Sequence, residues 1–132
     1  MNNMNPVVHF EMPYEDGKRV ADFYSKVFGW QPKMFGADMG NYITVMTMES
    51  DEKGHPKRSG VINGGFFKKT EDTGKCPSVV ISVENIEAAM KKVSESGGTV
   101  LGKPMEIPQV GSYVSFLDTE GNRASLLQPI KM

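Results

Sequence analysis

The stretch VVHFEMPYEDGKRVADFYSKVFGW, residues 7–30, changes its hydrophobic period once, and that change decides how the rest of the chain is read. Residues 7–12 have the composition of a strand, so His9 and Glu11 share one face and Phe10 and Met12 the other, because successive strand side chains point to opposite sides. After the turn YEDG, apolar residues fall at Val20, Phe23, Tyr24, Val27 and Phe28. This is the i, i+3, i+4, i+7, i+8 stripe of an amphipathic helix, expected over residues 18–28 with Gly29 as its stop.

Outward from this segment, residues 40–49 (GNYITVMTME) are β-branched and aromatic and predict a strand. SDEKGHPKRS is a polar loop, SGVINGGFFK is a strand interrupted by glycines, and a short strand is expected near residues 30–35. After the break at Gly74-Lys75-Cys76-Pro77, SVVISV is a strand with a nearly continuous apolar run. A second helix follows, with the stripe Ile86, Ala89, Met90 and Val93, Asn85 as candidate N-cap and Gly97-Gly98 at its end. TVLGKP, SYVSFL and RASLLQ are further strands, the last two joined by the turn DTEGN. Both halves therefore read β-α-β-β-β, one over residues 6–70 and the other over 77–130. The expected organisation is a single domain, residues 1–132, made of two like modules.

Composition narrows the classes of function. A chain of 132 residues, 39% hydrophobic and 23% charged, can bury a core without covalent staples. The formal net charge is −1 and the basic residues are scattered, so no surface is built to neutralise a run of phosphates and no nucleic-acid partner is expected. The single cysteine, Cys76, cannot form an internal disulfide, and the amino terminus lacks the basic start and apolar run of a secretory signal. A cytoplasmic location is expected. No stretch approaches the roughly 20 apolar residues that span a bilayer, so no membrane partner is expected either.

Three stretches together carry a resemblance to a known family: HFEMPYEDGKRVADFYSKVFGW, SVVISVENIEAAMKKVSESGGTV, and the closing SFLDTEGNRASLLQP, which is similar to a D-P-D-G-N-x-x-x-L terminal hairpin. The chain resembles the vicinal oxygen chelate superfamily, which includes glyoxalase I, bleomycin-resistance proteins and extradiol dioxygenases. Within it, the chain is similar to the branch described as predicted enzymes related to lactoylglutathione lyase. The resemblance implies an α+β fold of two tandem βαβββ modules, their strands forming a curled mixed sheet, a half-open barrel, with helices outside and a concave pocket within. It also implies a homodimer. Its glyoxalase-type members hold a metal with one ligand from each of four strands. Carried onto this chain, the first position is His9, the second falls within Asn63-Gly64-Gly65, the third at Ser78 and the fourth at Ser125. Only His9 retains the expected ligand type. Serine hydroxyls are poor ligands for a divalent transition metal, so no metal and no other cofactor is expected.

Three roles are open to His9: packing in a half-buried position, donating a ligand, or acting as a general base oriented by Glu11. Gly64 and Gly65 mark either a bulge or a close approach of a ligand to the backbone. Met46 and Met48 share a face of the expected strand and suit an adaptable apolar pocket, although core packing explains each singly. Trp30 is expected to be buried at a module boundary, and His55 to be a solvated loop residue. The resulting expectation is a small apolar or carbonyl-bearing ligand in a cavity lined by Met46, Met48, Asn63, Gly65, Ser78 and Ser125. His9 and Glu11 are the catalytic candidates, which would make the protein a glyoxalase-like lyase or isomerase. The alternatives are a metal-dependent lyase or isomerase with relocated ligands, and a resistance protein that sequesters a drug.

Overall fold

The structure is a computed structural model that describes residues 4–53 and 56–130. The expectation for His55 lies outside the described residues. The elements follow the order read from the sequence: β1 (Val7–Tyr14), α1 (Gly17–Phe28), β2 (Gln31–Met34), β3 (Ile43–Met46) and β4 (Asn63–Lys68), then β5 (Ser78–Ser82), α2 (Ile86–Glu95), β6 (Thr99–Ile107), β7 (Gly111–Leu117) and β8 (Arg123–Pro129). The twofold β-α-β-β-β pattern is thus present, and the α+β class with it. By contacts the chain divides into two compact units, residues 9–77 and residues 1–8 with 78–132.

In the unit of residues 9–77 the strand order is β2-β3-β4-β1. β1 runs parallel to β4 with His9 opposite Asn63 and Glu11 opposite Gly65, while β3 lies antiparallel to β4 on its other side. This parallel pair is what a strand-helix-crossover segment requires. Alternation on β1 works as expected: Phe10 and Met12 pack on the core of Tyr14, Ile43, Val45 and Phe66, together with Val20, Tyr24 and Trp30 from the helix and the segment after it. Phe66 and Ile43 are 1% exposed. Trp30 stacks on Tyr24, ring centroids 4.8 Å apart, and Tyr24 in turn lies over Phe66. Burial of side chains of this size stabilises by about 1.5–3 kcal/mol each.

α1 begins where Asp16 accepts a hydrogen bond from the Arg19 N–H at 3.0 Å. Gly29 ends it in the left-handed conformation, φ 73°, where a side chain would be strained. The buried face of α1 departs from the stripe in the sequence. Val20, Ala21 and Tyr24 face the sheet, whereas Phe23, Val27 and Phe28 are more than half exposed. A moment-bearing stripe fixes an apolar side, and the rings of Tyr24 and Trp30 decide which edge of it meets the sheet.

In the other unit the order is β5-β8-β7-β6, with β5 parallel to β8 and the remaining pairs antiparallel. Pro6, just ahead of β1, belongs here: its carbonyl accepts from the Ser82 N–H at 2.9 Å. Ile86, Ala89, Met90 and Val93 of α2 pack on Val83, Val114 and Leu126, as their spacing predicts. Asn85 caps α2 through the Ala88 N–H. A second cap comes from Gln128, whose Oε1 accepts from the Ile86 N–H at 2.8 Å. β6 is longer than TVLGKP suggests and contains Pro104 because it is an edge strand whose pairing with β7 shifts register between Leu101 and Met105.

Two expectations need correction. The strand expected over residues 40–49 is confined to Ile43–Met46. Thr47 leaves the strand because Asn63 Oδ1 accepts its N–H at 2.8 Å, and its hydroxyl donates to the Ile62 carbonyl at 2.6 Å. The shared face of Met46 and Met48 therefore fails, since Met48 lies beyond the last alternating residue. Nor do Gly64 and Gly65 form a bulge: β1 pairs with β4 in unbroken register from His9 to Tyr14.

Candidate functional site

The two glycines of β4 are occupied by rings instead. A Cβ on Gly64 would stand 2.4 Å from the Phe10 ring on the core side, and a Cβ on Gly65 would stand 2.1 Å from the Tyr42 hydroxyl on the opposite side. Gly65 is opposite both Glu11 of β1 and Thr44 of β3. Tyr42 precedes Thr44 by two residues, and its ring lies across the bare backbone of Gly65 to reach β1. A glycine in the middle strand is the only residue that leaves this path open.

The result is a short polar chain. The Tyr42 hydroxyl donates to Glu11 Oε2 at 2.8 Å, and His9 Nε2 lies 3.1 Å from the same hydroxyl oxygen. Glu11 is buried and His9 half-buried. Burial removes water from the imidazole and lowers its pKa from 6.5 to about 4, so His9 is neutral at neutral pH. His9 and Glu11, paired in sequence by strand parity, are therefore joined through a third residue that parity alone does not single out. A signal for Tyr42 is present in the sequence nonetheless: an aromatic two positions from Thr44 and a side chain missing at Gly65.

The remaining candidates have other partners. Asn63 faces the turn after β3: its Oδ1 accepts from Thr47 and its Nδ2 donates to Ser50 Oγ at 3.3 Å. This amide pins the exit of β3. Met46 ends β3, half-buried and on the face away from Ile43 and Val45. In the other unit, Ser78 opens β5 and is half-buried. Ser125 is 2% exposed; its hydroxyl donates to the Tyr113 hydroxyl at 2.7 Å and lies 3.0 Å from Ser115 Oγ. The one proton of Ser125 is engaged by Tyr113, so Ser115 is the donor in the serine pair. Among the described residues no three His, Cys, Asp or Glu side chains are grouped as a metal site would need. A shallow depression of about 490 Å³ beside α1, lined by Tyr14, Arg19, Phe23 and Lys69 among others, shares no residue with the His9 chain.

Residues 7–126 match the model of the Glyoxalase/Bleomycin resistance protein/Dioxygenase superfamily. The chain belongs to this superfamily. No curated protein matches its sequence. Solved structures similar to this superfamily member include a hypothetical protein from Bacillus halodurans, 13% identical with a TM-score of 0.70 over 98% of each chain. A methylmalonyl-CoA epimerase is 14% identical, with a TM-score of 0.69 over 99% of this chain and 100% of that one. A variant of Streptomyces coelicolor methylmalonyl-CoA epimerase in complex with 2-nitronate-propionyl-CoA is 11% identical, with a TM-score of 0.69 over 98% of each chain. At identities this low the likeness shows a shared fold and nothing more.

Proposed function

We propose that this superfamily member binds a small carbonyl-bearing molecule against the His9 face of β1 and that His9 takes a proton from it, without a resident metal. The single observation that carries this reading is the desolvated, neutral imidazole of His9 linked to the buried carboxylate of Glu11 through one tyrosine hydroxyl. A neutral imidazole accepts a proton, and the negative charge two hydrogen bonds along the chain stabilises the imidazolium that forms. An imidazole whose conjugate acid is this strong needs an acidic proton, such as one on a carbon between two carbonyl groups. Methylmalonyl-CoA, for which several structural neighbours are named, carries such a carbon.

The metal of glyoxalase-type relatives does not suit the donors this chain offers. Asn63 spends its amide oxygen on Thr47, and the Ser125 hydroxyl is held between Tyr113, to which it donates, and Ser115, from which it accepts. Neutral hydroxyls in place of an imidazole and a carboxylate forfeit most of the binding free energy of such a centre.

The test is solvent deuterium exchange at the acidic carbon of short acyl thioesters and 1,3-dicarbonyl compounds, followed by proton NMR with chelator-treated protein. Exchange should persist after chelation and fall by about 10²–10⁴ in His9→Ala, the range that a positioned general base supplies. Exchange that disappears with chelator, or that survives in His9→Ala, overturns the proposal. Binding detected by chemical-shift changes without any exchange would make the protein a sequestering one.

A further inference from the structure

Deepening that reading and resting on it, we infer that Tyr42 is the positioning residue of the site. It holds His9 as the Nε2–H tautomer and so leaves Nδ1 as the atom that receives the proton. The inference follows from counting protons along the chain. A carboxylate can only accept hydrogen bonds, so at 2.8 Å the proton between Tyr42 and Glu11 belongs to the tyrosine. A phenol has one proton, and it is then committed. The Tyr42 oxygen can therefore meet His9 Nε2, 3.1 Å away, only as an acceptor, which places a hydrogen on Nε2. In a neutral imidazole the other nitrogen then carries the lone pair. The direction of all three groups is set by the charged end, Glu11.

Gly65 belongs to the same device. The Tyr42 hydroxyl occupies the space where a Cβ at position 65 would sit, 2.1 Å from it, so a side chain there displaces the ring from between His9 and Glu11. The regular pairing of Gly65 with Glu11 on one side and Thr44 on the other keeps that space in register with both. In sequence, position 65 looks like a defect in a central strand. In the fold it is the opening through which a residue of the β3 lead-in reaches the carboxylate of β1.

The experiment is nitrogen-15 NMR of the imidazole rings in ligand-free protein at neutral pH. The chain has two histidines, so His55→Asn assigns the His9 signals. The expected spectrum shows His9 wholly as Nε2–H, with a ring proton slow enough in exchange with water to be observed. Tyr42→Phe, which keeps the ring over Gly65 and removes only the hydroxyl, should abolish that protected proton and mix the tautomers. Gly65→Ala should do the same while leaving His9, Tyr42 and Glu11 unchanged in sequence. A wild-type His9 that is Nδ1–H or a mixture of tautomers overturns the inference, as does a protected Nε2–H that survives Tyr42→Phe. Because the tautomer is read without ligand, it is settled independently of the deuterium-exchange assay. A locked tautomer with no exchange on any substrate would refute the proposed function alone.

Discussion

Acidification provides a direct test of how His9 is buried. Its pKa is lowered from 6.5 to about 4 by loss of water, so between those values the unfolded chain binds a proton that the folded chain refuses. The stabilisation is therefore present in full above pH 6.5 and is lost as the pH falls through this window. Linkage gives a loss of about 2 kcal/mol between pH 7.5 and pH 5, approaching about 3 kcal/mol below pH 4, since each tenfold change in proton affinity is worth about 1.4 kcal/mol. His9→Gln removes the titration while keeping an N–H for the Tyr42 oxygen. Urea unfolding of both proteins at the two pH values, followed through the fluorescence of the single tryptophan stacked on Tyr24, isolates the histidine from every carboxylate that titrates in both. The wild-type midpoint should drop by roughly 1 M more than that of the variant, for a urea m-value near 2 kcal/mol/M. Parallel losses in the two proteins would exclude a desolvated His9, because the histidine would then keep its proton on folding with Glu11 compensating its burial.

Other substitutions test the scaffold around the site. Phe66→Ala, at a position 1% exposed beneath Tyr24, should cost about 3–5 kcal/mol in chemical denaturation. Gly64→Ala sets a Cβ 2.4 Å from the Phe10 ring and should destabilise by about 1–3 kcal/mol, with much of the loss recovered when Phe10→Leu is added. Gln128→Ala leaves the N–H of Ile86, a residue 4% exposed, without its acceptor and should cost about 1–2 kcal/mol, with faster amide exchange in the first turn of α2.

Local pattern carries most of the fold. Alternation on β1 places His9 and Glu11 together because a strand offers only two faces, and the stripe of α2 meets Val83, Val114 and Leu126 because residues three and four apart share one side of a helix. The family signal in the terminal hairpin and the two strand-helix segments is borne out over residues 7–126. What stays illegible depends on partners distant in the chain. The end of β3 is set by Asn63, sixteen positions after Thr47, and no local propensity reports such a bond. The exposed side of α1 follows from the Tyr24 and Trp30 stack, which a helical wheel does not contain. Tyr42 reads in sequence as one residue of a strand, since its role needs two facts at once: a carboxylate on β1 and a missing side chain on β4 between them. Parity sets Gln128 on the face opposite Ser125, but its work as a cap to α2 requires the helix to arrive there.

That His9 works through hydrogen bonds and not through a bound ion is tested most directly by elemental mass spectrometry of protein purified without chelators. Nickel, zinc and iron should each fall far below one atom per chain, with no change in His9→Ala. One atom of any of them per chain, lost on that substitution, would show that the imidazole is a metal ligand and not a free base.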